Sequence, residues 1–207
     1  MRKPSIVLPL LLLSLIVGLS GCLERPLDED EIEFVEEILD IVPRETIDSL
    51  EALGFNVHEG TNPPVIDGAL HIEPFELLIP FGPQDPWEVG KEVQAYEYTF
   101  ENFDPAEKTV SISYHQPNGT DQGSGIGGII AGEGNGFTIF SELAGDVQGI
   151  QYTQAVIMTG VITDDGVKDF QYAFLMTDKE GDDLDAILIP VGTGRIWIDS
   201  DYISEWQ

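Results

Sequence analysis

From Val65 to the C-terminus, side-chain polarity repeats every second residue, a pattern that suits strands with one wet and one dry face. Tyr96, Tyr98 and Phe100 alternate with Glu97, Thr99 and Glu101. Val110, Ile112 and Tyr114 alternate with Ser111, Ser113 and His115, and Phe170, Tyr172, Phe174 and Met176 with Gln171, Ala173, Leu175 and Thr177. Pro117-Asn118-Gly119 and Asp164-Asp165-Gly166 are tight-turn sequences. Glu133-Gly134-Asn135-Gly136 and Val191-Gly192-Thr193-Gly194 read as further reversals. Eight or nine strands follow, over 65–73, 75–80, 93–101, 108–116, 126–132, 136–143, 150–163, 167–177 and 186–199. Short gaps make successive strands neighbours. The fold class is therefore mainly β, an antiparallel meander. An up-and-down barrel is favoured because closure removes exposed edges, with a β-sandwich as the alternative. Tyr98, Ile112, Met158, Tyr172 and Phe174 are expected to point inward and to meet at the centre.

A helical segment precedes the strands. Val35, Ile38, Leu39 and Val42 have helical spacing within 29–42, with carboxylates between them. Arg44 to Leu53 forms a second helix, started by Pro43 and stopped by Gly54, with Ile47, Leu50 and Leu53 on one side.

The start of the chain has another character. Arg2 and Lys3 are followed by an apolar run from Ile6 to Val17, shorter than the roughly 20 residues of a spanning helix. Leu19-Ser20-Gly21-Cys22 then ends in the only cysteine of the chain. These four residues resemble the lipobox of bacterial lipoproteins. The resemblance implies a diacylglycerol on the Cys22 thiol, cleavage just before it, and acylation of the new amine by a fatty acid such as palmitate. It divides the chain into a signal peptide (1–21), a lipidated tether (22–30), a helical lead with its connecting loop (31–64) and an all-β domain (65–207). It also implies a cell-envelope protein, anchored at the outer membrane on its periplasmic or surface face. With Cys22 taken by lipid, thiol catalysis and internal disulfides lose their residue.

Composition narrows the partners. Against 38 acidic side chains stand 9 basic ones, a formal charge of −29. Such a field repels nucleic acid, and the membrane partner is reached through the lipid on Cys22 rather than by charge. Since 42% of residues are hydrophobic, a core forms beneath the carboxylate surface.

An eight-stranded secreted meander after a helix resembles the lipocalin and calycin group in architecture, although Asp67-Gly68-Ala69-Leu70 stands where that group has Gly-x-Trp. The helical start, the "GTNPP" stretch of Gly60 to Pro64 and the glycine-rich middle also resemble acidic envelope lipoproteins that carry no activity to transfer.

Few motifs point to chemistry. "GSGIGG", Gly123 to Gly128, has dinucleotide-fingerprint spacing, but a turn precedes it and no helix signal follows, so it reads as a hairpin and strand segment in which glycines relieve crowding. The loop from Asp178 to Asp185 offers Asp178, Glu180, Asp182, Asp183 and Asp185 as calcium ligands, against the plainer reading of a solvated turn. His58, His71 and His115 lack zinc spacing, and no nucleophile elbow occurs. No catalytic residue and no cofactor is assigned. The expected function is a non-catalytic module binding a small ligand or protein partner. The alternatives are a structural envelope component with a solid core, and a carboxylate-based hydrolase. An internal cavity separates the first from the second, and paired carboxylates in a cleft would mark the third.

Overall fold

The computed structural model describes residues 36–207. The apolar run, Cys22, the tether and the start of the helical lead lie outside the described residues. Residues 36–41 form α1 and Arg44–Ala52 forms α2. Pro43 caps α2 with φ −57°, already helix-like and with no donor to lose, and Gly54 at φ +89° ends it. Ile47 is buried and Leu50 half-buried as the spacing predicts, but Leu53 is 54% exposed. It follows the last helical turn and stands at the edge of an apolar groove shared with Leu50 and the wall residues Ile157, Ala173 and Ile196.

Twelve strands follow: β1 (Thr61–Asn62), β2 (Gly68–Ile72), β3 (Phe75–Ile79), β4 (Glu92–Val93), β5 (Tyr96–Asp104), β6 (Thr109–His115), β7 (Gln122–Glu133), β8 (Gly136–Val147), β9 (Ile150–Ile162), β10 (Gly166–Lys179), β11 (Gly194–Asp199) and β12 (Ile203–Trp206). β2 pairs with β5, and β5 through β10 each pair with the next. β12 closes the ring by pairing with both β10 and β2. The first stave is β2 followed by β3, and the last is β11 followed by β12. β10 accordingly pairs with β12 along its first residues and with β11 further on, while β3 continues from β11. The result is an up-and-down barrel of eight staves. β1 was not expected and β8 runs on to Val147, past the expected end at 143, and three further outcomes differ from the strand expectations. β7 begins at Gln122, ahead of the predicted strand. Residues 186–193 are loop, because their apolar residues cover the barrel mouth instead of entering the sheet. β12, only four residues long, was missed.

Strand alternation sorts side chains between two cores. Tyr98, Phe100, Ile112, Tyr114, Phe137 and Met158 face the barrel interior. The outer positions Ile129, Ala131, Phe140, Ile157, Ala173 and Ile196 meet Ile38, Val42 and Ile47, so the helices lie against the outer wall. Elsewhere the wall is wet, as at Glu101, Ser113 and His115. After α2 the chain is pinned to the same wall. Asn56 N–H donates to Gln171 Oε1 at 2.7 Å, and His58 N–H to Thr138 Oγ1 at 2.7 Å. Among the described residues no helix is long and apolar enough to cross a membrane.

Candidate functional site

The barrel is solid at one end and hollow at the other. Phe100, Phe137 and Phe170, with Ile66, Leu70 and Ile130, are almost completely buried and fill the closed end. At the other end, strands and loops enclose a cavity of about 260 Å³. Tyr98, Ile112, Met158 and Tyr172 are buried inward as expected. Phe174 also packs on the barrel core but is only partly buried, between the cavity and the loop cluster around Tyr152, Met176 and Ile189. The expectation that these side chains fill the whole centre therefore holds for one half only.

Five of the six tyrosines in the chain, Tyr96, Tyr98, Tyr114, Tyr152 and Tyr172, line this cavity. They come from β5, β6, β9 and β10, each at an inward position near the mouth. Tyr98 and Tyr114 stack with ring centroids 5.4 Å apart. Phe75 extends the cluster, edge-on to Tyr96 at 5.6 Å and to Tyr172 at 6.1 Å; it lies 5.3 Å from Trp197, and Trp87 meets Trp197 edge-on at 5.9 Å. Residues 80–91 and 180–193 form the rim, contributing Trp87 and Ile187 to Ile189.

Among the residues lining the cavity, Asp121 is the sole carboxylate. It sits where the turn between β6 and β7 ends. Tyr96 donates to its Oδ2 at 2.7 Å, and the Tyr152 hydroxyl donates to Oδ1. Because the one Tyr152 proton is used there, Tyr114 must be the donor in the 2.5 Å Tyr114–Tyr152 contact. Gln154 Nε2 donates in turn to Tyr114 at 3.5 Å. The chain of donors therefore runs from Gln154 through two tyrosines to the carboxylate, with Tyr96 as a second branch. Burial raises the pKa of Asp121, the two hydroxyls pull it back, and nearby Asp146 adds to the rise. Burial also raises Tyr114 and Tyr152, and the Asp121 charge adds to it, so these hydroxyls stay protonated donors.

Glycine makes room for this pair. Gly123 and Gly145 are partners across β7 and β8. A Cβ on Gly145 would lie 2.6 Å from the hydroxyl oxygens of both Tyr114 and Tyr152, and one on Gly123 would lie 2.6 Å from that of Tyr114. The "GSGIGG" stretch is thus part of β7, with a register irregularity between Ser124 and Ile129, and its first glycine accommodates a tyrosine tip.

Arg195 closes the rim. Its Nη2 lies 2.6 Å from Asp85 Oδ1 and its Nε 2.8 Å from Oδ2, and its guanidinium covers Trp87 at 4.2 Å. Asp85 also accepts the backbone N–H groups of Phe81 and Trp87, both at 3.0 Å, which fixes the loop.

The other residues singled out in the sequence lie elsewhere. In the 178–185 loop, Asp182 accepts backbone N–H groups from Ala186 (2.8 Å) and Leu188 (2.9 Å). Lys179 Nζ lies 3.1 Å from Asp182 and 2.5 Å from Asp185, so an ammonium occupies the middle of the loop's carboxylates. Asp178 accepts the Lys179 N–H at 2.9 Å, and Glu180 and Asp183 are exposed. His71 and His115 flank Glu97 on the outer wall, at 3.8 and 3.3 Å. His58 lies apart, over Gly136. Among the described residues no group of three or more His, Cys, Asp or Glu side chains is placed to hold a metal ion.

Sequence reasoning missed Asp121 and the tyrosine cluster as a site. The available signal was that tyrosines recur at inward positions on four strands, where Leu, Ile or Phe would fill a dry core more cheaply. No protein-family model matches this chain, and neither curated proteins nor solved structures include a significant match to it.

Proposed function

We propose that this chain is a non-catalytic binding module, anchored to the cell envelope through lipid on Cys22, that takes a small ligand into the open end of its barrel. The observation that carries this reading is the cavity at one end of an otherwise close-packed barrel. At about 260 Å³ it lies just below the range of ordinary ligand pockets, which begins near 300 Å³. A purely structural barrel has no need of polar tyrosine tips that converge on a half-buried carboxylate at its mouth. Hydrolysis of a glycosidic bond in the usual manner takes two carboxyl groups facing one another, and the cavity wall supplies only Asp121.

Two experiments test the reading. Metabolic labelling with a fatty-acid analogue should mark the chain and fail to mark Cys22→Ser; equal labelling of both would remove the anchor. Near-UV circular dichroism of the full chain in lipid nanodiscs, with a library of small molecules, should show saturable changes in the tyrosine and tryptophan bands. Loss of those changes in Tyr98→Leu, with the far-UV spectrum unchanged, would place the ligand among the rings. A native spectrum that no compound alters would favour the structural reading.

A further inference from the structure

We infer that the cavity selects a small organic cation, an amine or quaternary ammonium, whose charged head meets Asp121 among the tyrosine rings; this rests on the binding reading above. Three independent features point to this class.

The first is the charge balance of the wall. Two charged side chains line the cavity, Arg195 and Asp121. The guanidinium of Arg195 is matched by both oxygens of Asp85, in a pair whose side chains are 8% and 1% exposed. Asp121 is held by hydroxyl groups, and among the described residues none of the observed ion pairs includes it. Each of its oxygens accepts one tyrosine proton, and a carboxylate oxygen has room for a second donor. The uncompensated charge of the cavity is therefore negative.

The second is the wall material. Tyrosine and tryptophan faces attract cations through their ring quadrupoles, most strongly where water is excluded, and rings surrounding a carboxylate form the usual cage for an alkylammonium group. Tyr96, Tyr98, Tyr114 and Tyr172 form one run of rings, and Phe75, 5.6 Å from Tyr96 and 6.1 Å from Tyr172, joins them to Trp197. The apolar wall suits a short hydrocarbon or aromatic body behind the charged head. The third is the long-range field. With 38 acidic and 9 basic side chains, the protein draws cations toward any opening and repels anions.

The test uses three probes of nearly one shape and three charges: 2-phenylethylammonium, 2-phenylethanol and phenylacetate, titrated calorimetrically into the full chain in zwitterionic nanodiscs. Tetraethylammonium serves as a cation without a hydrogen-bond donor. The ammonium probe should bind at least about tenfold more tightly than the alcohol, the difference expected when a desolvated cation meets rings and a carboxylate. Phenylacetate should bind most weakly. In Asp121→Asn, affinity for the two cations should fall by about tenfold or more while alcohol binding changes little, since one charge and no ring is lost. Alcohol binding also shows that the variant is folded, and the charge series on the unaltered protein stands without any variant. Equal or tighter binding of the alcohol or phenylacetate would overturn the cation assignment but keep the binding module. Absence of binding by all four probes would overturn the cation assignment, and the library screen above would then decide the binding reading separately.

Discussion

Gly145→Ala adds one methyl group, and it tests whether the tyrosine tips rest where they do because two strands lack side chains there. In an unstrained strand position the change should stabilise, by about 0.4–1 kcal/mol, because alanine restricts the unfolded chain. Here the sign should reverse. The new Cβ would sit 2.6 Å from two hydroxyl oxygens, inside the 3.0 Å limit that real Cβ contacts respect. Neither ring can swing aside freely. Tyr114 is stacked on Tyr98, and Tyr152 is tied to Asp121. Either a strand must shift, at about 1–3 kcal/mol for an overpacked site, or a hydroxyl must leave and strip Asp121 of a donor, at about 1–3 kcal/mol for a buried group left short. These are alternative routes, so the expected loss is about 1–3 kcal/mol. Urea unfolding of the full chain in detergent, followed by tryptophan fluorescence, measures it. Combining Gly145→Ala with Tyr152→Leu should cost less than the sum of the two single changes, because the second removes the ring that the methyl group strikes. A neutral or stabilising Gly145→Ala, or strict additivity, would refute the claim that the glycine pair exists to seat the tyrosines.

Phe137→Ala, at the closed end, should cost about 3–5 kcal/mol in urea unfolding, while Phe174→Ala at the half-open mouth should cost about 1–2 kcal/mol, less apolar surface being returned to water; the reverse order would put the cavity at the wrong end. The melting temperature of the full chain should climb as sodium chloride rises from about 0.05 to 1 M and the carboxylates are screened, and a flat or falling trend would show the charges too far apart to matter. Asp199, raised to about 6 mainly by burial while Ser204 pulls it back, binds its proton more tightly folded than unfolded, so its contribution is full below about 3.8 and is lost as pH rises through about 6. Asp199→Asn should therefore flatten the fall in stability between those values, as read from urea midpoints, and an unchanged slope would remove Asp199 as the cause.

Alternation and turns made the barrel legible. The period of two over Tyr96 to Glu101 and Val110 to His115 is set by backbone geometry and needs no tertiary information. The stretch Ala186 to Val191 misled because its apolar residues are equally compatible with a strand and with a loop laid over an aromatic rim. What differs is Asp182, which accepts three successive backbone N–H groups and so supplies locally what a sheet partner would have supplied. The site was illegible for a related reason. Tyrosine in a strand reads as core until the space behind it is known, and Asp121 is one of 38 acidic residues. Its importance comes from the meeting of β5, β9 and the turn before β7, since its donors Tyr96 and Tyr152 stand 25 and 31 positions away along the chain. Beside the recurrent inward tyrosines, Gly123 and Gly145 carried a second trace, and a glycine inside a strand has many causes.

The two charges at the mouth divide one task between them. Arg195 and Asp85 are buried together, and the carboxylate also holds the backbone of the loop that carries Trp87. Arg195→Met alone should cost about 3–5 kcal/mol, because Asp85 would be left as an unpaired buried charge. Replacing both, as Arg195→Met with Asp85→Leu, should recover much of that loss, since removing a buried pair entirely is often near neutral. The recovery will be incomplete by the worth of the loop bonds from Phe81 and Trp87, about 0.5–1.5 kcal/mol each. Calorimetric unfolding of the native protein, Arg195→Met, Asp85→Leu and the double variant measures this. If the double replacement costs as much as the two single ones added together, the pair is not coupled, and the wall carrying Trp87 stands for some other reason. If the coupling holds, the arginine charge is consumed in building the wall. Asp121 is then left as the one charge facing the cavity that a ligand can meet.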